Sequence, residues 1–376
     1  MVISNATDFN DMFSAAMINT CPVADAPIQN QATHATSSTT FNVMEHIVVI
    51  GSGVYLLQSG YRVTIIARDF PIPFETADPK QFINYSSLWA GAHNRWVLPT
   101  NATEERDHAM ALSTYRHMEQ LVGGHPECGV HFTKGIEYLE DVPQVYKDLT
   151  AETASGLGIT DFRLYTNEEL PDKVNWGCEY KTWCANPMVY CLFLLRQFVL
   201  LGGRTVNMEL RTPLEVRDMK AFSDVRTVVN CSGVGFNDPD VFPTRGQTCV
   251  VANNCPATVT RQNADRSWTF CVPRGFSGGT VIGGTKEPNN WDTEPSEEVR
   301  RQLLDALART YPSIRDEEDF RNIRDIVGRR PTRKGGIRLE KEQHDERFSV
   351  IHAYGLGGRG YELSWGVAEQ VARLLK

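Results

Sequence analysis

The sequence lacks several things, and each absence narrows what the chain is. No stretch reaches the ~18 consecutive apolar residues of a membrane span. The longest apolar run, around Val189 to Leu201, is broken by Arg196 and Gln197 and reads as a core helix. Paired cysteines are also missing. The nine cysteines are scattered singly and their number is odd. Cys178, Cys184 and Cys191 match no zinc-ligand spacing and have no histidine nearby. They read as reduced thiols of an intracellular protein, and no metal site is expected. Positive charge is not in excess: a net charge of -8 argues against a nucleic-acid partner, which requires a basic surface. The first 43 residues contain no Lys or Arg, so they have neither a signal-peptide n-region nor the arginines of a transit peptide. Residues 1–43 are rich in Asn, Thr, Ser and Ala without a sustained period, and are expected to be a disordered extension. Met44, directly before the first strand, is a candidate natural start.

What remains is ordinary globular composition, 41% hydrophobic and 22% charged over 376 residues. That length suits two domains, or one nucleotide-binding domain carrying the other as an insertion. Strands are expected at His46–Ile50 and Arg62–Ala67, and a helical pattern at Glu104–Leu121 within a mixed stretch from about 100 to 184. Asn186-Pro187 marks a helix start and Gly202-Gly203 its stop. Further strands are expected at Arg226–Asn230, Thr269–Pro273, Thr280–Thr285 and Phe348–Ile351. Pro295 is expected to open one helix, and a last helix to begin near Leu363. This order suggests a nucleotide-binding domain built from separated stretches, with a mostly antiparallel domain inserted.

Four constellations carry chemistry. Gly51-Ser52-Gly53 follows a strand, where small residues let backbone approach a pyrophosphate at a helix start; a tight structural turn gives the same letters. The third glycine of the fingerprint would fall at Leu56. Only Val54 to Ser59 separate Gly53 from Gly60, whereas a parallel crossover normally needs about 10 to 12 residues including its helix. Arg68-Asp69 ends the second strand, where an acidic residue commonly bonds an adenine ribose; a solvated charge pair fits equally. From Val350 through His352-Ala353-Tyr354-Gly355-Leu356-Gly357-Gly358-Arg359-Gly360 a buried strand enters a glycine-dense turn and then a helix, which presents N–H groups to an anionic or polar planar group. Gly328-Arg329-Arg330-Pro331-Thr332-Arg333 suggests a fixed carboxylate site, because Arg makes a paired planar contact that Lys cannot reproduce; a basic exposed turn is the alternative. No acid–base pair or nucleophile emerges.

The last two motifs together resemble the D-amino-acid oxidase and D-aspartate oxidase family. Trp365-Gly366, Thr244-Arg245-Gly246-Gln247, Asn230-Cys231-Ser232-Gly233, Trp89-Ala90-Gly91-Ala92 and Ala67-Arg68-Asp69 are also similar, in consistent order from about Met44 to the last residue. The resemblance implies an α/β fold: a discontinuous Rossmann-like FAD-binding domain (44–98, 185–235 and 336–376) with an inserted, mostly antiparallel β cap domain (99–184 and 236–335). It implies FAD as cofactor and oxidation of a D-amino acid by hydride transfer from Cα, with oxygen then giving hydrogen peroxide and the imine hydrolysing to a 2-oxo acid and ammonia.

By position, Arg330 would clamp the substrate carboxylate. Phe270 stands where the family usually has a tyrosine that helps it. Gly357, Gly360, Tyr361 and Glu362 would meet the flavin ring. Arg68 and Asp69 would meet the adenosine half, with Gly51, Ser52, Gly53, Gly91, Ala92 and Ser232 along the cofactor. Lys286, where D-aspartate oxidases resemble this chain but carry arginine, would favour an acidic substrate; pointing to solvent is its alternative. The implied partners are a small-molecule D-amino acid and oxygen, with no nucleic acid or membrane, and a homodimer is compatible. Leu374-Leu375-Lys376 is not a peroxisomal address, which leaves cytoplasmic and peroxisomal residence both open. The short crossover supports a different outcome, a family member that cannot hold FAD.

Overall fold

The computed structural model describes residues 44–376 apart from 51–53, 74–75, 79, 81 and 316–318. The expected extension 1–43 and the Gly51-Ser52-Gly53 cofactor assignment lie outside the described residues.

Two sheets organise the described chain. The first has six strands in the order Arg338–Gln343, Ser349–Tyr354, Thr227–Asn230, His46–Ile50, Arg62–Ala67, Arg204–Asn207. All its pairings are parallel except that of the edge strand Arg338–Gln343. A parallel sheet is covered on both faces, which requires nearly continuous β-branched runs. Ile47, Val48, Val49, Val63, Ile66 and Val228 meet that need, all fully buried. Ile47 and Val49 pack towards the helices Ala102–Gly124, Pro187–Leu200 and Gly360–Leu375. Val48 and Ile66 face Val216, Phe222 and Phe348 on the other side.

The second sheet has ten strands and is antiparallel except where Val130–Leu139 pairs with Ala257–Gln262. Trp268–Pro273 and Thr280–Gly283 lie at its centre, and Arg324–Arg333 pairs along the whole of Val241–Val251. The sheet curls until Cys184 packs on Val272 and Val281. Helix Glu297–Thr310 covers the opposite face, with Leu303, Leu304 and Leu307 against Cys249, Cys271 and Ile282. The α/β class with a mostly antiparallel second sheet is as the sequence led us to expect.

Some boundaries move. Pro295 does not open the helix: Ser296 caps it, accepting from Val299 N, and the helix begins at Glu297. The last helix begins at Gly360, not near Leu363. The mixed stretch contains two ten-residue strands, Val130–Leu139 and Trp176–Ala185. Among the described residues no helix is long and apolar enough to cross a membrane.

Candidate active site

Three parallel strands end at one edge of the first sheet, with Ile50 beside Asn230 and Asn230 beside His352. Ligands of open α/β sheets bind outside such carboxyl ends. After Asn230 the chain turns tightly. Ser232 N donates to Asn230 Oδ1 (3.1 Å) and Ser232 Oγ accepts from Gly235 N (3.1 Å). After Tyr354, Gly355 and Gly357 have φ of 83° and 57°, the left-handed region that glycine tolerates. A Cβ on Gly355 would stand 2.6 Å from Arg333 Cβ, so both conformation and space select glycine there. A Cβ on Gly360 would meet nothing within 4 Å, and one on Gly358 only Arg330 Nη1 at 3.8 Å. The turn is therefore open at Gly358 and Gly360, at the start of a sixteen-residue helix.

Arg330 lies on the Arg324–Arg333 strand opposite Thr244. Its Nη2 donates to Thr285 O (3.0 Å), and no carboxylate among the described residues pairs with it. Burial lowers its pKa from the ordinary arginine value. The guanidinium is seated on Gly246, where a Cβ would come within 2.5 Å of Nη2. Nη1 faces the Gly358 turn. A part-buried cation with unused donors is the partner a carboxylate requires.

Phe270 sits on the same sheet, with its ring tip against Gly283, where a Cβ would collide with it at 2.1 Å, and close to Gly284. Gly91 packs on Val272 and Val281, the next residues along that face. Ala92 begins a two-residue strand paired with Ala185. Lys286 is exposed, one residue from the carbonyl that receives Arg330. Arg68 Nε donates to Asp69 Oδ2 (2.8 Å) at the end of the second strand, and Asn207 Nδ2 donates to Arg68 O (2.8 Å). Tyr361 and Glu362 lie in the helix, not in the turn. Tyr361 Oη donates to Ser87 O (2.9 Å), and burial pushes its pKa well above the usual value.

Sequence reasoning missed three arginines. Arg274, 1% exposed, donates from Nη2 to Trp89 O and Ala90 O (3.1 and 3.2 Å), directly before Gly91. Its Nε has no hydrogen-bond partner, and burial lowers its pKa to about 10. Arg95 pairs with the buried Glu137 (2.8 Å) and lies 4.5 Å over the Trp268 ring. Arg359 pairs with Glu362 (2.6 Å) and Asp107 (3.3 Å). Only Arg359 carried a local signal, the i,i+3 spacing to Glu362.

The first crossover is short. Residues 51–61 join the first two strands and hold a five-residue helix, Val54–Gln58. Two openings flank that helix and neither is lined by Arg330. One, about 530 Å³, lies between Tyr55, Tyr61, Arg373 and Lys376. The other, about 200 Å³, lies between Gln58, His117, Phe193 and Trp365.

Residues 46–374 match the family model described as FAD dependent oxidoreductase. The chain belongs to this FAD-dependent oxidoreductase family, in its D-amino-acid oxidase and D-aspartate oxidase branch. It is 39% identical to a D-aspartate oxidase of Talaromyces thermophilus, over 88% of this chain and 94% of that one. It is 31% identical to a D-amino-acid oxidase of Rubrobacter xylanophilus, over 88% and 96%. Among solved structures, L-proline dehydrogenase from P. horikoshii superposes with a TM-score of 0.63 at 16% identity, covering 89% of this chain and 93% of that one. Glycine oxidase from Geobacillus kaustophilus gives 0.61 at 18%, covering 88% and 94%. These two likenesses concern the fold alone. FAD is the family's cofactor, and the open glycine turn fits its flavin ring.

Proposed function

We propose that the chain oxidises D-amino acids to 2-oxo acids with release of ammonia and hydrogen peroxide, and that D-aspartate is the first substrate to try. The observation that carries the reading is Arg330: part-buried, seated on Gly246, anchored to one carbonyl and otherwise without an acidic partner. A substrate carboxylate would take two parallel bonds from it, which fixes Cα in orientation as well as position. When bound, FAD supplies the hydride acceptor and passes the electrons to oxygen.

The remaining assignments follow the resemblance. Gly357, Gly360, Tyr361 and Glu362 would adjoin the ring, with Gly91, Ala92 and Ser232 along the cofactor and Arg68 and Asp69 at its adenosine end. Gly51, Ser52 and Gly53 would meet the pyrophosphate. The FAD-binding part would be 44–98, 185–235 and 336–376, and the substrate part 99–184 and 236–335. Phe270 presents an apolar ring where a hydroxyl would add a hydrogen bond. D-Aspartate is favoured because the 39% identical relative is a D-aspartate oxidase, and Lys286 is the side chain placed to meet an acidic group.

The five-residue helix of the first crossover favours a second reading, a chain that descends from the family and holds FAD poorly or not at all. Turnover decides between them. The purified chain supplied with FAD is given the D- and L-forms of aspartate and alanine. We expect peroxide and 2-oxo acid in equal amounts with the D-forms alone. Turnover of L-forms, or none at all, overturns the first reading.

A further inference from the structure

Successive residues of a strand point to opposite faces of its sheet. Phe270 takes one face of Trp268–Pro273, and Cys271 takes the other, under helix Glu297–Thr310 beside Ile282 and Cys249. There the Cys271 Sγ lies 3.5 Å from the Sγ of Cys255, and both are free thiols. Cys255 belongs to the loop between strands Val241–Val251 and Ala257–Gln262. Sixteen positions separate the two cysteines, a spacing that left no signal in the sequence.

Hydrogen bonds give the pair an order. Cys255 Sγ donates to Ala257 O (3.0 Å), so the proton between the two sulfurs comes from Cys271. That donation favours a thiolate at Cys255 and holds its pKa below the usual thiol value. The same bond, with burial added, pushes the Cys271 thiol well above it. Cys255 is therefore the attacking sulfur. It is 3% exposed and stands between the exposed Asn254 and Pro256, one layer beneath water. Cys271 is fixed on both sides, opposite Val259 on one strand and Ile282 on the next. A disulfide needs about 2.0 Å between its sulfurs, so about 1.5 Å has to close, with the loop residue moving towards the strand. Cys249 is two strands away from Cys271, about 10 Å, and is out of reach.

We infer that Cys255 and Cys271 form a modification site, at which hydrogen peroxide oxidises the two thiols to a disulfide that ties this loop to the strand carrying Phe270. The Cys255 sulfur attacks one peroxide oxygen and the O–O bond breaks. The departing hydroxide takes the thiol proton and leaves as water, and Cys255 becomes a sulfenic acid. The Cys271 sulfur then attacks the Cys255 sulfur, and the second oxygen leaves as water with the Cys271 proton. Two thiols give up two electrons, and one peroxide accepts them. Peroxide is the product of the proposed reaction, and the inference rests on that reading for the origin of the oxidant alone.

The test supplies hydrogen peroxide directly to the purified full chain with FAD present, then alkylates the remaining thiols under denaturing conditions and maps the peptides by mass. Two fewer of the nine cysteines should be alkylated, with Cys255 joined to Cys271 and Cys249 still alkylated. Dithiothreitol should restore both thiols. Cys255→Ser keeps a donor for Ala257 O and should leave Cys271 without a bridge. Met44, 59% exposed, shows by its conversion to the sulfoxide that the oxidant acted. If both thiols are still alkylated once Met44 is oxidised, the inference is overturned. A bridge from either sulfur to a third cysteine, or sulfinic acid at Cys255 in place of the bridge, overturns it as well. Because the peroxide is added, a chain that turns over no D-amino acid sinks the functional reading and leaves this result standing. A chain that turns over D-amino acids and forms no bridge does the reverse.

Discussion

The segments that follow the first and the last parallel strand of the first sheet end differently. Each runs from a strand to a helix, the last by way of the glycine turn at Gly355 and Gly357. From Tyr354 the turn opens into sixteen residues of helix, long enough to pack Leu363, Trp365, Val367 and Val371 into the core. From Ile50 the helix is five residues, about 7.5 Å at 1.5 Å per residue. The five-residue strand it must run back along is about 16 Å. The first crossover is therefore short by about six helical residues, and openings remain on both of its flanks. The C-terminal helix is thus complete in its packing and the first crossover is not. The fold thus tolerates a truncated first crossover.

Four substitutions and one insertion break or sharpen this contrast. Arg330→Ala belongs to the complete end and should have the largest effect. Losing two charge-assisted bonds of about 1.5–3 kcal/mol each should lower kcat/KM at least about a hundredfold. An unchanged kcat/KM would remove Arg330 from the site. Inserting six helix-forming residues between Gly53 and Val54 repairs the short end, and FAD affinity should rise at least about tenfold, worth 1.4 kcal/mol. If a fluorescence titration gives the same Kd with and without the insertion, the deficit has no bearing on FAD.

Gly246→Ala pushes on Arg330 Nη2 at 2.5 Å without changing any charge. KM for the substrate should rise about tenfold, for roughly one charge-assisted bond weakened, while the melting temperature reports whether the sheet survives. Phe270→Tyr adds the hydroxyl that the family usually carries at this position, and one bond of about 0.5–1.5 kcal/mol to the substrate should lower KM about two- to tenfold. A rise in KM instead would place the ring tip elsewhere. Lys286→Ala should have the smallest effect. An exposed pairing is worth about 0.2–1 kcal/mol, so the D-aspartate to D-alanine turnover ratio should fall only a few-fold. An unchanged ratio would leave Lys286 facing solvent.

Much of this was legible in the sequence, and the omissions have physical causes. The first two strands, the Asn186-capped helix and the C-terminal strand–turn–helix all carry strong local signals. Asn186 accepts from Met188 N as an N-cap should. The strand Val130–Leu139 hides because a buried charge and a glycine interrupt its apolar run. Glu137 is buried against Arg95, which lies far away in sequence, and Gly135 is there to admit the Tyr180 ring. Arg324–Arg333 was not expected as a strand, because arginines and Pro331 obscure pairing with a partner some eighty residues distant. Among the proposed site residues, Arg330 was named from its motif, and its seat on Gly246 left no signal in the sequence. Arg274 was missed because its partners are backbone carbonyls, which leave no trace in side-chain identity.

The most direct test of the central claim is the visible spectrum of the purified 376-residue chain supplied with FAD, recorded before and after D-aspartate is added without air. The account predicts a bound flavin spectrum that bleaches with D-aspartate and not with L-aspartate. A protein that stays colourless after FAD is supplied would contradict it, and would show that the short first crossover, not the complete C-terminal helix, decides what this chain does.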